Sequence, residues 1–487
     1  LSSDQSAFLI LGEKMIFQNT FTSLPDYLYE RVTPTPLTNP CLVHTTSLKD
    51  ELGLSGLSEE DLMAWLNGEK SLPGEQRIAT RYAGHQFGVW AGQLGDGRAI
   101  SLGEILTKNG RMEIQTKGSG LTPFSRMGDG KAVIRSSVRE YLCSEAMYGL
   151  NIPTTRVLSL LTGEDPVYRE QVERSALVAR VFPSNLRFGH FELCYHFNKQ
   201  EELRALTEYT RTFFFPGLSL EEMLQEVVKS TATLMAQWQD VGFCHGVMNT
   251  DNMSVLGLTI DYGPFGFLED TYLSHVCNHS DHHGRYAYNK QPGVAMWNLE
   301  RFLICFREMV PTEKLLPIYQ SYTEHFEKAY SSLYRKKLGL TEFDPQDEVL
   351  FADILSALSF HSIDYTFFWR ELSRYKKGEI ASLKDFWDMY GKLEKITLWL
   401  KRYDERLDKE SSSDEDRHQR MLSHNPKFIL RNYIAQEVIE EVERGGRQKL
   451  HHWLRILSSP YDEHPEFTHY AGPTPPSLKN FEVSCSS

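Results

Sequence analysis

The stretch His245-Gly-Val-Met-Asn-Thr-Asp251-Asn252-Met-Ser254, then the apolar Val255-Leu-Gly-Leu-Thr-Ile260, then Asp261-Tyr262-Gly263, decides the reading of this chain. The polar part predicts a loop and the apolar part a short strand, with Asp261 at the strand's end before a glycine turn. An amide and a carboxylate flanking a short strand bring two hard oxygen donors to one place. A Mg²⁺ ion takes donors of this kind when it also holds the phosphates of a nucleotide.

Protein kinases build their sites this way, with H-R-D-L-x-x-x-N and D-F-G in the corresponding places. Asn252 lies seven residues after His245, as in that motif, but Val247 stands where the kinase base Asp would be. Asp251 is the nearest carboxylate able to serve as base. His-x6-Asn alone equally fits a capped turn; its coupling to Asp261-Tyr-Gly263 favours the catalytic reading. Phosphates also need a cation, and the cation needs a carboxylate to hold it. Met112-Glu-Ile-Gln-Thr-Lys117 alternates apolar and polar and predicts a strand ending on Lys117. Val133, Ile134, Val138, Tyr141 and Leu142 recur at helical spacing, which puts Glu140 on the next helix as the partner of that lysine. The order of these elements is that of a kinase.

Glycine is dense from Arg81 to Gly130, which predicts a small sheet whose turns approach a ligand closely. Gly92-Gln-Leu-Gly95-Asp-Gly97-Arg98 and Gly128-Asp129-Gly130-Lys131 qualify as phosphate turns, though neither is a P-loop and each also reads as an ordinary tight turn. Arg98, Lys117, Arg126, Lys131, Arg135, Arg139, Arg180 and Arg187 crowd this half of a chain whose net charge is -13. A local basic cluster in an acidic protein predicts a focused anion site. The same global charge argues against a non-specific nucleic-acid binder.

With 487 residues, 41% hydrophobic and 24% charged, the chain has ample material for a core. No uncharged apolar run is long enough for a membrane span. No basic n-region precedes Phe8–Leu11, which is too short for a signal segment, and irregularly spaced cysteines make a reducing cytoplasm the expected location. Seven cysteines at irregular spacing are not a disulfide framework. Cys277 and Cys485 are expected to be accessible, their pairing a redox switch or nothing, and the other five to be buried. His275, Cys277, His279, Asp281, His282 and His283 could bind zinc, but the position after Asp261-Tyr-Gly263 favours an activation segment.

The local patterns predict strand then loop over 174–196 and helices over 220–240, 297–308, 315–334, 346–358, 383–406 and 428–444. Ser219 with Glu222 makes a capping box for the first of these six helices. Lys409–Asp416 reads as a solvated loop. The fold class is α+β: a protein-kinase-like bilobal fold, with an N-terminal extension (1–75), a Gly-rich β-containing N-lobe (76–200), a mostly helical C-lobe (201–400) and a helical C-terminal extension and tail (401–487).

Five blocks then resemble the selenoprotein O family, called YdiU in bacteria. They are Tyr82-Ala-Gly-His-Gln-Phe-Gly-Val-Trp-Ala-Gly-Gln-Leu-Gly-Asp-Gly-Arg98, Lys117-Gly-Ser-Gly-Leu-Thr-Pro-Phe-Ser-Arg-Met-Gly-Asp-Gly-Lys131, His245–Met253, Asp261-Tyr-Gly-Pro-Phe-Gly266 and Asn425-Pro-Lys-Phe-Ile-Leu-Arg-Asn-Tyr433. The resemblance runs from about Thr33 to the C-terminus. It implies a kinase-like fold that transfers AMP, not phosphate, from ATP to hydroxyl side chains of proteins, with ATP flipped relative to kinases. By motif it implies Asp251 as base and Asn252 and Asp261 as ligands of Mg²⁺, with Mn²⁺ as the alternative ion. Gly95, Gly97, Arg98, Lys117, Asp129, Gly130, Arg180, Arg187 and Asp261 would hold the nucleotide, with Glu140 as the partner of the lysine. Cys485 occupies the place of the selenocysteine of eukaryotic members. The expected partners are ATP and hydroxyl-bearing proteins, with no nucleic acid, no membrane and a monomeric chain. A phosphotransferase and a nucleotide-binding pseudokinase scaffold are the alternatives.

Overall fold

The computed structural model describes residues 17–479. Strands β1 (Tyr29–Arg31), β2 (Cys41–Thr45), β3 (Ile78–Thr80), β4 (Ala83–Gln86), β5 (Val89–Gln93), β6 (Ala99–Thr107), β7 (Gly110–Lys117), β8 (Ala132–Val133), β9 (Arg156–Tyr168) and β10 (Val172–Phe182) precede most of the helices. All but β4 and β5 form one antiparallel sheet in the order β1-β3-β6-β7-β10-β9-β2, with β8 pairing to β10. Both ends of that order, β1 and β2, come from the residues assigned to an N-terminal extension. Strands β4 and β5 make a separate hairpin.

The helices are α1 (Leu48–Glu51), α2 (Glu59–Leu66), α3 (Ile134–Gly149), α4 (Phe188–His196), α5 (Gln200–Phe214), α6 (Leu220–Val241), α7 (Gln291–Leu303), α8 (Thr312–Lys337), α9 (Asp347–Phe360), α10 (Tyr365–Leu372), α11 (Lys384–Tyr390), α12 (Glu394–Leu407), α13 (Asp414–Leu422), α14 (Asn432–Glu443) and α15 (Gln448–Ser458). None in the described residues is long and apolar enough to cross a membrane.

Strand parity explains how the sheet is buried on both faces. Leu177, Ala179 and Val181 of β10 join Trp65, Ile100 and Leu158 in one core, while Ala176 and Val178 join Ile134, Val138 and Tyr141 of α3 in another. Successive strand residues point to opposite faces, so Arg180 shares the α3 side with Val178. The register pairs Val178 with Lys117 and Arg180 with Gln115, which puts Lys117 on that side too.

Several expectations need correction. Residues 188–196 are helix α4, not loop; most of this helix is buried, so it shows no amphipathic period to read. Residues 255–260 do not form a strand: the chain turns at Gly257, and only Thr259 bridges, to Thr154. The helix expected over 383–406 divides at Gly391, whose φ of 69° ends α11. The helix expected over 297–308 begins at Gln291 and ends at Leu303, with Pro292 in its first turn. The 409–416 run is only partly loop: Ser413 caps α13, and the Glu410 carboxylate accepts from the Thr341 and Glu342 backbone and from Arg406. The capping box of Ser219 and Glu222 is present, with Glu222 N–H donating to Ser219 Oγ at 3.3 Å and Ser219 N–H to Glu222 Oε2 at 2.8 Å.

Candidate active site

Lys117, Arg180 and Glu140 meet because two strands and a helix present them to one layer. Lys117 Nζ donates to Glu140 Oε2 at 2.6 Å, and Arg180 Nη1 donates to Glu140 Oε1 at 3.0 Å. Both cations also face Asp261: Arg180 Nη1 lies 2.5 Å and Lys117 Nζ 3.7 Å from its Oδ1, and Arg187 Nη1 donates to Oδ2. Arg187 precedes α4 and is fixed further by Asn185 Oδ1 and the Asp251 carbonyl. Burial by itself would raise the pKa of the Asp261 carboxyl, but the three cations together hold it well below its ordinary range. Burial pulls the Lys117 ammonium down, against Glu140 and Asp261. Asp261 has a φ of 56°, a left-handed conformation that Asp tolerates better than most residues.

The loop before it is held by His245. Its Nε2 pairs with the Ile260 carbonyl at 2.8 Å, while Val247 N–H donates to Nδ1 at 3.3 Å, so the neutral ring ties both ends of the loop together. Burial lowers the pKa of this histidine, and its ring stacks on Trp238. Asn252 Nδ2 donates to the Val247 carbonyl at 3.0 Å. Its amide oxygen accepts nothing from the described residues, so it is available beside Asp261 to a hard cation. This oxygen pair has the donor chemistry that fits Mg²⁺ or Mn²⁺.

Asn252, Asp261, Lys117, Glu140, Arg180 and Arg187 all line one cavity of about 400 Å³. Gly95, Gly97, Arg98, Asp129 and Gly130 are also part of its wall. Gly95 has a φ of 150°, and a Cβ there would lie 2.5 Å from the Phe124 ring; Gly130 has a φ of 71°, and a Cβ would lie 2.2 Å from Gly120. Both turns therefore require glycine. Asp129 accepts from Arg169 in the same wall, at 2.8 and 3.0 Å, which lowers its pKa.

Of the residues expected to act as base, hold the metal or bind the nucleotide, Asp251 alone does not line the cavity. The β4–β5 hairpin covers it: Gln86 Nε2 donates to Asp251 Oδ2 at 3.2 Å, and His85 N–H donates to Thr250 Oγ1 at 2.7 Å. Asp251 Oδ1 is buried with no hydrogen-bond partner among the described residues. Burial pushes the carboxyl up to about 7, against the pull of Arg187.

Two of the basic residues expected at the anion site are used elsewhere. Arg135 pairs with Glu173 at 2.8 Å, and Arg139 donates to the Phe265 carbonyl and to Asn432. In their place the cavity has Arg169, which sits in the β9–β10 turn with no motif to mark it. Tyr82, Asp96 and Phe124 also line it and were missed. The alternation Gly95-Asp-Gly97 was the available signal for Asp96, which is buried and accepts from Thr80 at 2.9 and 2.6 Å. Cys277 is buried, not accessible, with its Sγ on the Cys244 carbonyl; Cys41 is exposed, not buried. Cys485 lies outside the described residues. The 275–283 run brings no three metal-ligating atoms together, and Asp281 instead accepts from the Arg285 and Tyr286 backbone.

Seven basic side chains face four acidic ones in this cavity, a net positive lining in an acidic chain. That surplus, beside hard oxygen donors, has the chemistry to hold a polyanion together with a divalent cation. Residues 13–458 match the family model described as "Protein adenylyltransferase SelO", and the chain belongs to that family. The match begins earlier than the motif blocks implied. The chain is 44% identical over 482 residues to "Protein nucleotidyltransferase YdiU" of Yersinia pseudotuberculosis, covering 97% of this chain and 99% of that protein. Proteins of the same name from Bordetella petrii (44% over 488 residues, 96% and 98% covered) and Myxococcus xanthus (43% over 490 residues, 98% and 99% covered) are similar to it as well.

Proposed function

We propose that this cavity binds ATP with a divalent ion and that the chain transfers AMP to a hydroxyl group of a protein, releasing pyrophosphate. The observation that carries the reading is the convergence of Lys117, Arg180 and Arg187 on Asp261, with Asn252 on the same wall. A kinase-like site uses one lysine there; three fixed cations, with Arg98 and Arg126 forming no ion pair with any described residue, suit a leaving group as charged as pyrophosphate. In this reading the sheet with α3 forms one lobe, the helices from α6 onward form the other, and the cleft lies between them.

Asn252 and Asp261 would hold Mg²⁺ or Mn²⁺, which would neutralise phosphate charge. The chain's own residues do the rest. Lys117, Arg180 and Arg187 orient the phosphates, and Glu140 keeps two of these cations in place. Asp251 takes the proton of the acceptor hydroxyl as its oxygen attacks the α-phosphorus, and the bond from that phosphorus to the bridging oxygen of the β-phosphate breaks. The unpaired Asp251 Oδ1 is the acceptor position for that proton. Incubation with ATP labelled at the α or the γ phosphate tests the reading: label should reach protein from the α position only. Transfer of γ label alone would make the chain a kinase.

A further inference from the structure

A second group of polar side chains meets where the β4–β5 hairpin lies against α4. His85 of β4 and Glu192 and His196 of α4 offer ligand atoms that all lie within 4.8 Å of one another. Glu192 and His196 are four residues apart on one helix, so they share a face. Glu192 is fully buried: one carboxylate oxygen meets His85 Nδ1 at 2.6 Å, and the other has no hydrogen-bond partner among the described residues. A buried carboxylate oxygen left bare is costly unless something else satisfies it. His196 is exposed, lies against Trp90 with ring centroids 4.0 Å apart, and also lines a separate polar cavity of about 380 Å³ with Asn198, Gln200 and Arg204.

We propose that His85, Glu192 and His196 form a site for a transition-metal ion of the zinc type, with a fourth position open to water from the adjoining cavity. Two imidazoles and one carboxylate are a ligand set of three-residue zinc sites that keep an open position. Zinc bonds of ~2.0–2.1 Å place tetrahedral ligand atoms about 3.3 Å apart. The ion therefore replaces the proton between His85 Nδ1 and Glu192, moving the two slightly apart, and exposed His196 swings inward. His85 then carries its proton on Nε2. Arg301, the cation whose field reaches His196, is itself paired with Glu300 at 2.7 Å. The ion would fasten the hairpin to α4, and the hairpin holds the Thr250–Asp251 turn through His85 N–H and Gln86.

The test uses the full chain, stripped with a chelator and dialysed against ZnCl₂ in excess MgCl₂. Zinc is counted by atomic emission, and Co²⁺ replaces it for visible absorption. One zinc per chain should be retained, Co²⁺ should give an intense tetrahedral band, and zinc should raise the thermal midpoint. H196A changes an exposed side chain and E192Q an isosteric one; each should weaken zinc binding by ~10-fold or more, whereas K117M, remote from the cluster, should leave it unchanged. Failure of the wild-type chain to retain zinc overturns the site. So does equal retention by H196A, or zinc that is lost in K117M.

Discussion

Asp261→Ala would remove the one carboxylate on which three cations converge. In the wild type, Arg180 lies 2.5 Å and Lys117 3.7 Å from Oδ1, and Arg187 bonds Oδ2. Glu140 would still hold Lys117 at 2.6 Å and Arg180 at 3.0 Å, but Arg187 would keep only Asn185 and a backbone carbonyl. Stranding a buried charge in this way costs about 3–5 kcal/mol. The structure predicts an inactive variant that is also markedly less stable. The cavity would become more positive, so metal-free ATP or pyrophosphate should restore more thermal stability to D261A than it adds to the wild type. Thermal unfolding with and without pyrophosphate, paired with transfer of α-labelled AMP, reads both effects. Transfer within tenfold of wild type, or an unchanged thermal midpoint, would refute the role assigned to this carboxylate.

Asp251→Asn keeps the shape that Gln86 contacts and removes the proton acceptor. Turnover should fall by ~10²–10⁴ with little change in KM for ATP, since Asp251 does not line the nucleotide cavity; a rate near wild type would leave Asp251 as a turn residue only. Lys117→Met should cut transfer by roughly 10²–10³ while the fold persists, because Glu140 keeps Arg180; circular dichroism with the labelled assay checks both, and full activity would disprove the phosphate role. Burial pushes Glu113 from 4.5 up to about 7, although Asn185 N–H donates to it at 3.0 Å. A raised folded-state pKa means the stabilising contribution is complete below pH 4.5 and is lost as pH rises through 7. Glu113→Gln should therefore gain on the wild type by up to about 3 kcal/mol between those limits; parallel denaturation curves for the two proteins at pH 5 and pH 8 would remove the burial account.

What the sequence disclosed depended on whether a residue's neighbours in the chain were also its neighbours in space. Lys117 and Glu140 were legible because a period of two and a period of 3.6 fixed their faces. Asn252 and Asp261 were legible because their loop is short and closes on itself through His245. Arg180 and Arg187 were legible only as members of a basic cluster: nothing local says that β10 pairs with β7 or that Arg187 faces Asp261, since both depend on tertiary packing. Helix α4 was missed because a helix that is mostly buried has no polar stripe. The cover over Asp251 was missed for a related reason. Gly92–Arg98 read as a candidate phosphate turn, and the contact that seats the 83–93 hairpin on the Thr250 turn crosses more than 150 residues.

The C-terminal helices have a place in the site that their distance along the chain conceals. Helix α3, which carries Glu140, packs against the sheet on one side and against α14 and α15 on another. A Cβ at Gly149 would lie 1.9 Å from the Leu457 carbonyl oxygen, so α3 and α15 approach at backbone distance. Arg139, next to Glu140, donates to Asn432 at the start of α14 and to the Phe265 carbonyl just beyond Asp261. Arg431 in turn is bidentate to buried Asp364, at 2.7 and 3.1 Å. In protein kinases the corresponding helix moves, and its position decides whether the lysine meets its glutamate. Here any outward shift of α3 would first have to break the Arg139 contacts and pull α3 away from α15, against which it packs backbone to backbone. The Lys117–Glu140 pair is thus assembled by the fold itself. The Asn425–Tyr433 block, distant from the proposed nucleotide cavity in sequence and absent from its lining, would act on the chemistry by fixing the helix that holds the lysine's partner.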